Sequence, residues 1–135
     1  MIVLDCCAAV AMLRKTDEGE ALKALMIEGE SVVSSEFYLV EIRNVFWKFV
    51  RTGKLTEEEA REKIKEAIGL VDVFVPIRDN ADEAFAEAAR QNHSVYDMFY
   101  LTLVRRTSGT LFSLDKKLVS LCEDMGLNAV VEVEL

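Results

Sequence analysis

Proline, histidine and cysteine are scarce in this sequence, and each scarcity excludes something. One proline among 135 residues, with 51% of them apolar, leaves no room for a proline-rich linker or extended disorder. A single histidine, His93, and the lack of any Cys-x-x-Cys pair argue against zinc. The three cysteines, Cys6, Cys7 and Cys122, are an odd set without regular spacing, so no disulfide framework is expected and a reducing cytoplasm fits best. No apolar run reaches the roughly 18 residues of a membrane span. Met1 to Leu13 is apolar but holds Asp5 and lacks a basic leader, so it reads as buried strand and helix, not as a signal peptide. Repeats, low-complexity segments and a P-loop glycine pattern are all missing.

What remains is a chain of one-domain length, expected to form a single domain over 1–135. Its formal charge of −8 speaks against a nucleic-acid partner unless metal ions neutralise part of it or cations gather locally. Local gatherings do occur: Arg14 with Lys15, Lys48 with Arg51 and Lys54, Arg105 with Arg106, and Lys116 with Lys117. Each of these pairs also reads as an ordinary solvated face.

Short β-branched runs alternate with helical stretches. Strands are expected at Ile2–Leu4, around Val32 and Val33 within 31–35, over 71–77, over 110–114 and over 129–133. Helices are expected over 8–14, 17–28, 36–51, from Thr56 to about Leu70, 79–91, 94–106 and 116–125. Thr56 with Glu59 has capping-box spacing, and Gly126 is a C-terminal stop. The alternation predicts an α/β fold with a mostly parallel central sheet flanked by helices in three layers. In such sheets ligands bind beyond the carboxyl ends of the strands. Asp5 and Asp115 directly follow the first strand and the strand at Thr110. The helix from Ser94 climbs about 18 Å and the following strand returns about 17 Å, so Asp97 and Asp115 are expected at one level.

Four acids stand out, each with an ordinary alternative. Asp5 and Asp115 are placed to cap the helices that follow them, and Asp97 stands at capping-box distance from Ser94. Glu41 shares a helical polar stripe with Asn44, Lys48 and Arg51. Their settings are apolar, however: Met-Ile-Val-Leu before Asp5, Tyr-Leu-Val before Glu41, Met-Phe-Tyr-Leu after Asp97. Ionised carboxylates there are costly without compensation, and mutual repulsion raises the pKa of some if they share a cleft. A divalent cation relieves both, and an all-oxygen donor set suits Mg²⁺ or Mn²⁺. Such a site hydrolyses phosphodiesters with metal-activated water.

These segments resemble the PIN-domain ribonucleases, and among them the VapC-type toxins of toxin–antitoxin pairs. The resemblance covers nearly the whole chain. It rests on Met-Ile-Val-Leu-Asp5, Leu39-Val-Glu41-Ile-Arg-Asn44, Ser94-Val-Tyr-Asp97 with its apolar helix, and Leu111-Phe-Ser113-Leu-Asp115-Lys116-Lys117-Leu118. It implies a PIN-like, Rossmann-like sheet and an acidic quartet of Asp5, Glu41, Asp97 and Asp115 that binds Mg²⁺ or Mn²⁺ and cleaves RNA. Ser113 and Asn44 are implied as supporting residues. Homodimers and an antitoxin protein as partner are implied as well.

One departure is plain. The family usually places a hydroxyl residue two positions after the first aspartate, and this chain has Cys7. A thiol is a weaker hydrogen-bonding group than a hydroxyl. Cys7 reads either as a small apolar filler or as an oxidation-sensitive thiol beside the site. The departure also motivates a rival reading, a PIN-like RNA- or protein-binding module that has lost cleavage. A purely structural module, with the acids as caps, is a further alternative. A receiver or an Asp-nucleophile phosphatase is excluded, since Cys6-Cys7-Ala8 follows Asp5 and no Asp-x-Asp or adjacent acidic pair occurs there.

Overall fold

The computed structural model describes residues 1–26 and 28–131. Five short strands and seven helices follow in order: β1 (Ile2–Leu4), α1 (Cys6–Leu13), α2 (Asp17–Ala24), β2 (Val32–Ser35), α3 (Phe37–Arg51), α4 (Glu57–Gly69), β3 (Val73–Val75), α5 (Ile77–Gln91), α6 (Val95–Thr107), β4 (Thr110–Phe112), α7 (Lys116–Asp124) and β5 (Asn128–Ala129). The strands form one sheet in the order β3-β2-β1-β4-β5. Every pairing is parallel, with Val3 opposite Val33 on one side and Leu111 on the other. The expected mostly parallel, three-layer α/β fold is therefore found.

Parallel strands covered on both faces read as continuous apolar runs, and β1 is buried at all three positions. Helix α6 is the central helix. Its residues from Met98 to Val104 are all buried, as expected for a helix apolar around most of its circumference. Each fully buried Leu or Met there contributes about 1.5–3 kcal/mol relative to exposure. Helices α1 and α2 pack so closely that a Cβ on Gly19 would stand 2.2 Å from the Ala11 carbonyl oxygen, which only glycine permits.

Element boundaries shift where local chemistry overrides periodicity. The strand expected over 71–77 ends at Val75, because Pro76 cannot donate to a ladder. Pro76, at φ −55°, instead leads into α5, which starts two residues before the expected 79. Helix α5 is kinked at Asn80, whose φ of −130° is not helical. The helix expected over 17–28 is observed over Asp17–Ala24, and residue 27 lies outside the described residues. The strand expected over 129–133 is observed as Asn128–Ala129, and residues 132 and 133 also lie outside them. The Thr56–Glu59 capping box forms, and Gly126 ends α7 at φ +75°.

The sheet order sets the position of the site. The chain leaves β1 toward β2 and β3, then crosses back to place β4 on the other side of β1. The carboxyl ends of β1 and β4 are thus the point where the strand order reverses, the place such sheets use for ligands. Asp5 and Asp115 are carried there by the loops that follow these two strands.

Candidate active site

Asp5 leaves β1 in extended conformation and caps α1, with Oδ1 accepting from the Ala8 N–H at 3.0 Å. It is also buried, at 4% exposure. The Cys7 thiol donates to the carboxylate, with Sγ 3.3 Å from each oxygen. Burial pushes the Asp5 carboxyl up to about 6, against the lowering effect of Ser113, the Ala8 N–H and Cys7, and the charge of Glu41 raises it further.

Asp115 caps α7, accepting from the N–H groups of Lys117 at 3.0 Å and Leu118 at 3.2 Å through Oδ1. Its own N–H donates to Ser113 Oγ at 3.0 Å. Ser113 is buried, and its Oγ also lies 3.6 Å from Cys7 Sγ. The hydroxyl therefore joins the first turn of α1 to the loop after β4.

Glu41 and Asp97 come from helices. Glu41, half-buried on α3, accepts from the Tyr100 hydroxyl of α6 at 2.5 Å. Burial raises the Glu41 carboxyl, the Tyr100 donor opposes this, and the Asp97 charge adds to it. Asp97, in the first turn of α6, has Oδ2 at 2.8 Å from His93 Nε2. The capping box suggested by Ser94 and Asp97 does not form in that way: Ser94 Oγ accepts from the Tyr96 N–H, and Asp97 turns to His93 instead.

All four carboxylates line one cavity of about 80 Å³, together with Cys6, Cys7, Tyr100 and Leu118. Asn44 is exposed on α3 and is not among the lining residues. A larger cavity of about 600 Å³ runs along α7, and meets the acidic site through Ser113. The small cavity carries the charge and the buried polar atoms, so it is the chemically significant one.

The fit of a metal follows from the donor set. Four carboxylates facing one cavity offer hard oxygen ligands, and the uncompensated burial of Asp5 is what a divalent cation relieves. In the conformation described, each acid is held by its own donor, and among the described residues no three acidic, histidine or cysteine groups are gathered tightly enough to ligate one ion. Ligation thus requires rotation of side chains, and the exposed Asp115 and half-buried Glu41 and Asp97 have room for it.

Two contributors escaped sequence reasoning. Tyr100 lies three residues after Asp97, on the same helical face, and that spacing was the available signal. His93 lies four residues before Asp97, and a lone histidine carries no metal-ligand spacing that would mark it.

The PIN domain family model matches residues 2–124. This chain belongs to the PIN-domain family. Among its relatives is ribonuclease VapC3 of Pyrobaculum aerophilum, 26% identical over an alignment of 122 residues, which covers 87% of this chain and 91% of that protein. The PIN fold is shared with PAE2754 of P. aerophilum, at a TM-score of 0.67 and 20% identity, covering 88% of this chain and 82% of that one. It is shared equally with VapBC-1 of nontypeable Haemophilus influenzae, at a TM-score of 0.66 and 15% identity over 96% of both chains. Among the described residues no helix of this PIN domain is long and apolar enough to cross a membrane.

Proposed function

We propose that this PIN domain, spanning 1–135 as one unit, is a metal-dependent endoribonuclease and the toxin of a toxin–antitoxin pair. The observation that carries this reading is the convergence of Asp5, Glu41, Asp97 and Asp115 on one cavity at the sheet's reversal point. The ribonuclease named VapC3 and the VapBC-1 structure lend it support, and so does the acidic quartet itself.

The four acids would hold Mg²⁺ or Mn²⁺. Bound there, the cation supplies a lowered pKa for water and neutralises charge on the phosphoryl oxygens. The residues of the chain do the rest. Cys7 and the Ala8 N–H fix the Asp5 carboxylate, with Ser113 beside the Cys7 thiol, while Tyr100 fixes Glu41 and His93 fixes Asp97. Asp5, buried and held by the Ala8 N–H and Cys7, is the fixed member of the set, and the other three acids would exchange their present donors for the cation by side-chain rotation. Leu118 is the aliphatic side of the cavity wall. Asn44, exposed one turn beyond Glu41, acts in support from outside the cavity.

The partners inferred are RNA as substrate, an antitoxin protein and a second copy of the chain. Val40 and Trp47 are exposed on α3, and Tyr96 is exposed where it stacks on Phe37 at 5.2 Å, an apolar face suited to that second copy. Three unpaired cysteines fit a reducing cytoplasm.

The deciding experiment incubates purified protein with a mixed RNA substrate and Mn²⁺ or Mg²⁺. Internal cleavage by the wild type, lost in Asp97→Asn and on chelation, is expected. A wild type that binds RNA and never cuts it under either metal establishes the binding-module reading in its place.

A further inference from the structure

We propose that the outer face of α7 carries the RNA strand past the carboxylate site, with Lys116 and Lys117 holding backbone phosphates that flank the one being cut. This rests on the nuclease reading above and adds a substrate track to it.

A polyanion approaching four carboxylates on a chain of net charge −8 meets repulsion unless cations stand within about one Debye length, roughly 10 Å. The structure shows which cations are available. Arg105 and Arg106 are taken up by Glu83 and Glu87. Arg61, Lys63 and Lys65 pair with glutamates of their own helix, α4. Arg14 and Lys54 lie over the Phe49 ring and Arg51 over Trp47. Lys116 and Lys117 are exposed, and among the described residues neither forms an ion pair. Lys15, Lys23, Arg43 and Lys48 are exposed and outside these ion pairs as well, but none of them lines the two cavities that flank α7, so position and not pairing singles out the α7 lysines.

Their position is the second observation. Lys116 and Lys117 line a cavity of about 410 Å³ with His93, Ser120 and Asp124. His93 is the residue bonded to Asp97, and Lys116 directly follows Asp115, so this cavity adjoins the acidic one on two sides. Lys116 and Ser120 also line the 600 Å³ cavity on the other flank of α7. One helical face, with a cation and a hydroxyl one turn apart, thus connects two cavities beside the site. The amides at the N-terminus of α7 are already bonded to Asp115, so the lysine side chains are the anion-binding groups. The acidic lining residues, Glu123 and Asp124, lie about 10 Å along the helix from these lysines, which confines the phosphates to the end nearest the carboxylates. Lysine and serine supply no planar fork for a base edge, so the track reads backbone and not sequence.

The test compares the wild type with the double variant Lys116→Gln, Lys117→Gln, and with Arg61→Gln, Lys65→Gln as a control for bulk charge. Each protein is assayed for kcat and KM on a single-stranded RNA, and for binding of that RNA by anisotropy in EDTA across a salt series. All four lysine and arginine positions are exposed, and thermal denaturation verifies that the variants fold. The α7 variant is expected to raise KM about tenfold with kcat within about twofold. Its slope of log affinity against log salt should shrink by about 1.4, the value for two lost phosphate contacts on a single strand. The control should move neither quantity appreciably. A wild type that cleaves RNA, with the α7 variant matching it in KM and salt slope, overturns the track and leaves the nuclease reading standing. A wild type that cleaves nothing overturns the nuclease reading; binding with the same loss of slope then keeps the track as that of an RNA-binding module, and no binding overturns it too.

Discussion

The hydroxyl of Tyr100, buried on α6, donates to Glu41 Oε1 on α3 across 2.5 Å. This bond ties two of the four site helices together and favours the charged form of a half-buried carboxylate, against the larger opposing effect of burial. Burial and the neighbouring Glu41 charge raise the Tyr100 hydroxyl far above its ordinary range, so it acts as a donor throughout the physiological range.

Tyr100→Phe removes that donor and little else. Glu41 is then left half-buried with burial and Asp97 both raising its carboxyl. The expected cost at pH 7 is about 1.5–3 kcal/mol in urea denaturation, the range for a hydrogen bond to a charged group. The deficit should narrow at pH 5, where the variant's Glu41 takes up a proton more readily than the wild type's. An equal deficit at both pH values would show that Tyr100 acts by packing alone.

A second prediction concerns the scaffold behind α6. Glu87 is 2% exposed on α5 and accepts from Arg105 Nη1 at 2.6 Å, with Arg90 as a second partner. Its carboxyl is held below the ordinary range chiefly by the Arg105 hydrogen bond. Glu87→Gln should cost about 2 kcal/mol, below the usual cost of breaking a fully buried pair, because the arginines reach solvent. Cleavage per folded molecule should stay at the wild-type level. A large fall in kcat with unchanged stability would mean that this network also positions Asp97.

Much of the fold and the site was legible because the sequence signals were local. Asp5 follows β1 directly and Asp115 comes three residues after β4, and the β-branched pairs Ile2-Val3 and Val32-Val33 mark two of the strands. Thr56 and Glu59 satisfy each other across one turn, so the capping box needed no tertiary information. Tyr100 is illegible as the partner of Glu41, because that pairing depends on how α3 and α6 pack sideways, 59 residues apart in the chain. The kink at Asn80 is similar. Its side chain donates to the Phe99 carbonyl at 3.2 Å and to Thr102 Oγ1 at 2.8 Å, both on another helix. Asp97 shows the limit most clearly: its spacing from Ser94 suggested a cap, and a residue four positions upstream claimed its carboxylate instead.

The Cys7 thiol is expected to be inert. Its residue is exposed, yet Sγ points at Asp5 and Ser113, and burial with the Asp5 charge pushes the thiol up to about 12. Almost no thiolate is present at pH 7, and thiolate is the species that peroxide and alkylating agents attack. Of the two readings of Cys7, the structure favours a packed, donating thiol. Peroxide or iodoacetamide at pH 7 should leave RNA cleavage unchanged over a period that fully modifies a free model thiol. Rapid loss of activity, prevented by Cys7→Ser, would reverse this conclusion. The same variant places a stronger donor beside Asp5, and Mn²⁺ affinity measured by calorimetry should rise about threefold, the equivalent of a modestly better hydrogen bond.

Asp5→Asn separates stability from function. In the folded protein the Asp5 carboxyl sits at about 6, against 3.8 for an ordinary aspartate. The folded state therefore holds the proton more tightly than the unfolded chain. Its stabilising effect is complete below about pH 4 and is lost as the pH rises through 6, a penalty of at most about 3 kcal/mol at pH 7 in the absence of metal. Asparagine carries no charge to desolvate, and its side-chain oxygen can still accept from the Ala8 N–H as a helix cap. In EDTA at pH 7 the variant should melt about 6 °C above the wild type, and the gap should close toward pH 4. With Mn²⁺ the order reverses: the wild type gains stability from ligand binding, whereas the variant gains little and does not cleave RNA. A variant less stable than the wild type in EDTA at pH 7 would show that the Asp5 charge is compensated within the fold. The acidic cavity would then have no electrostatic need for a cation.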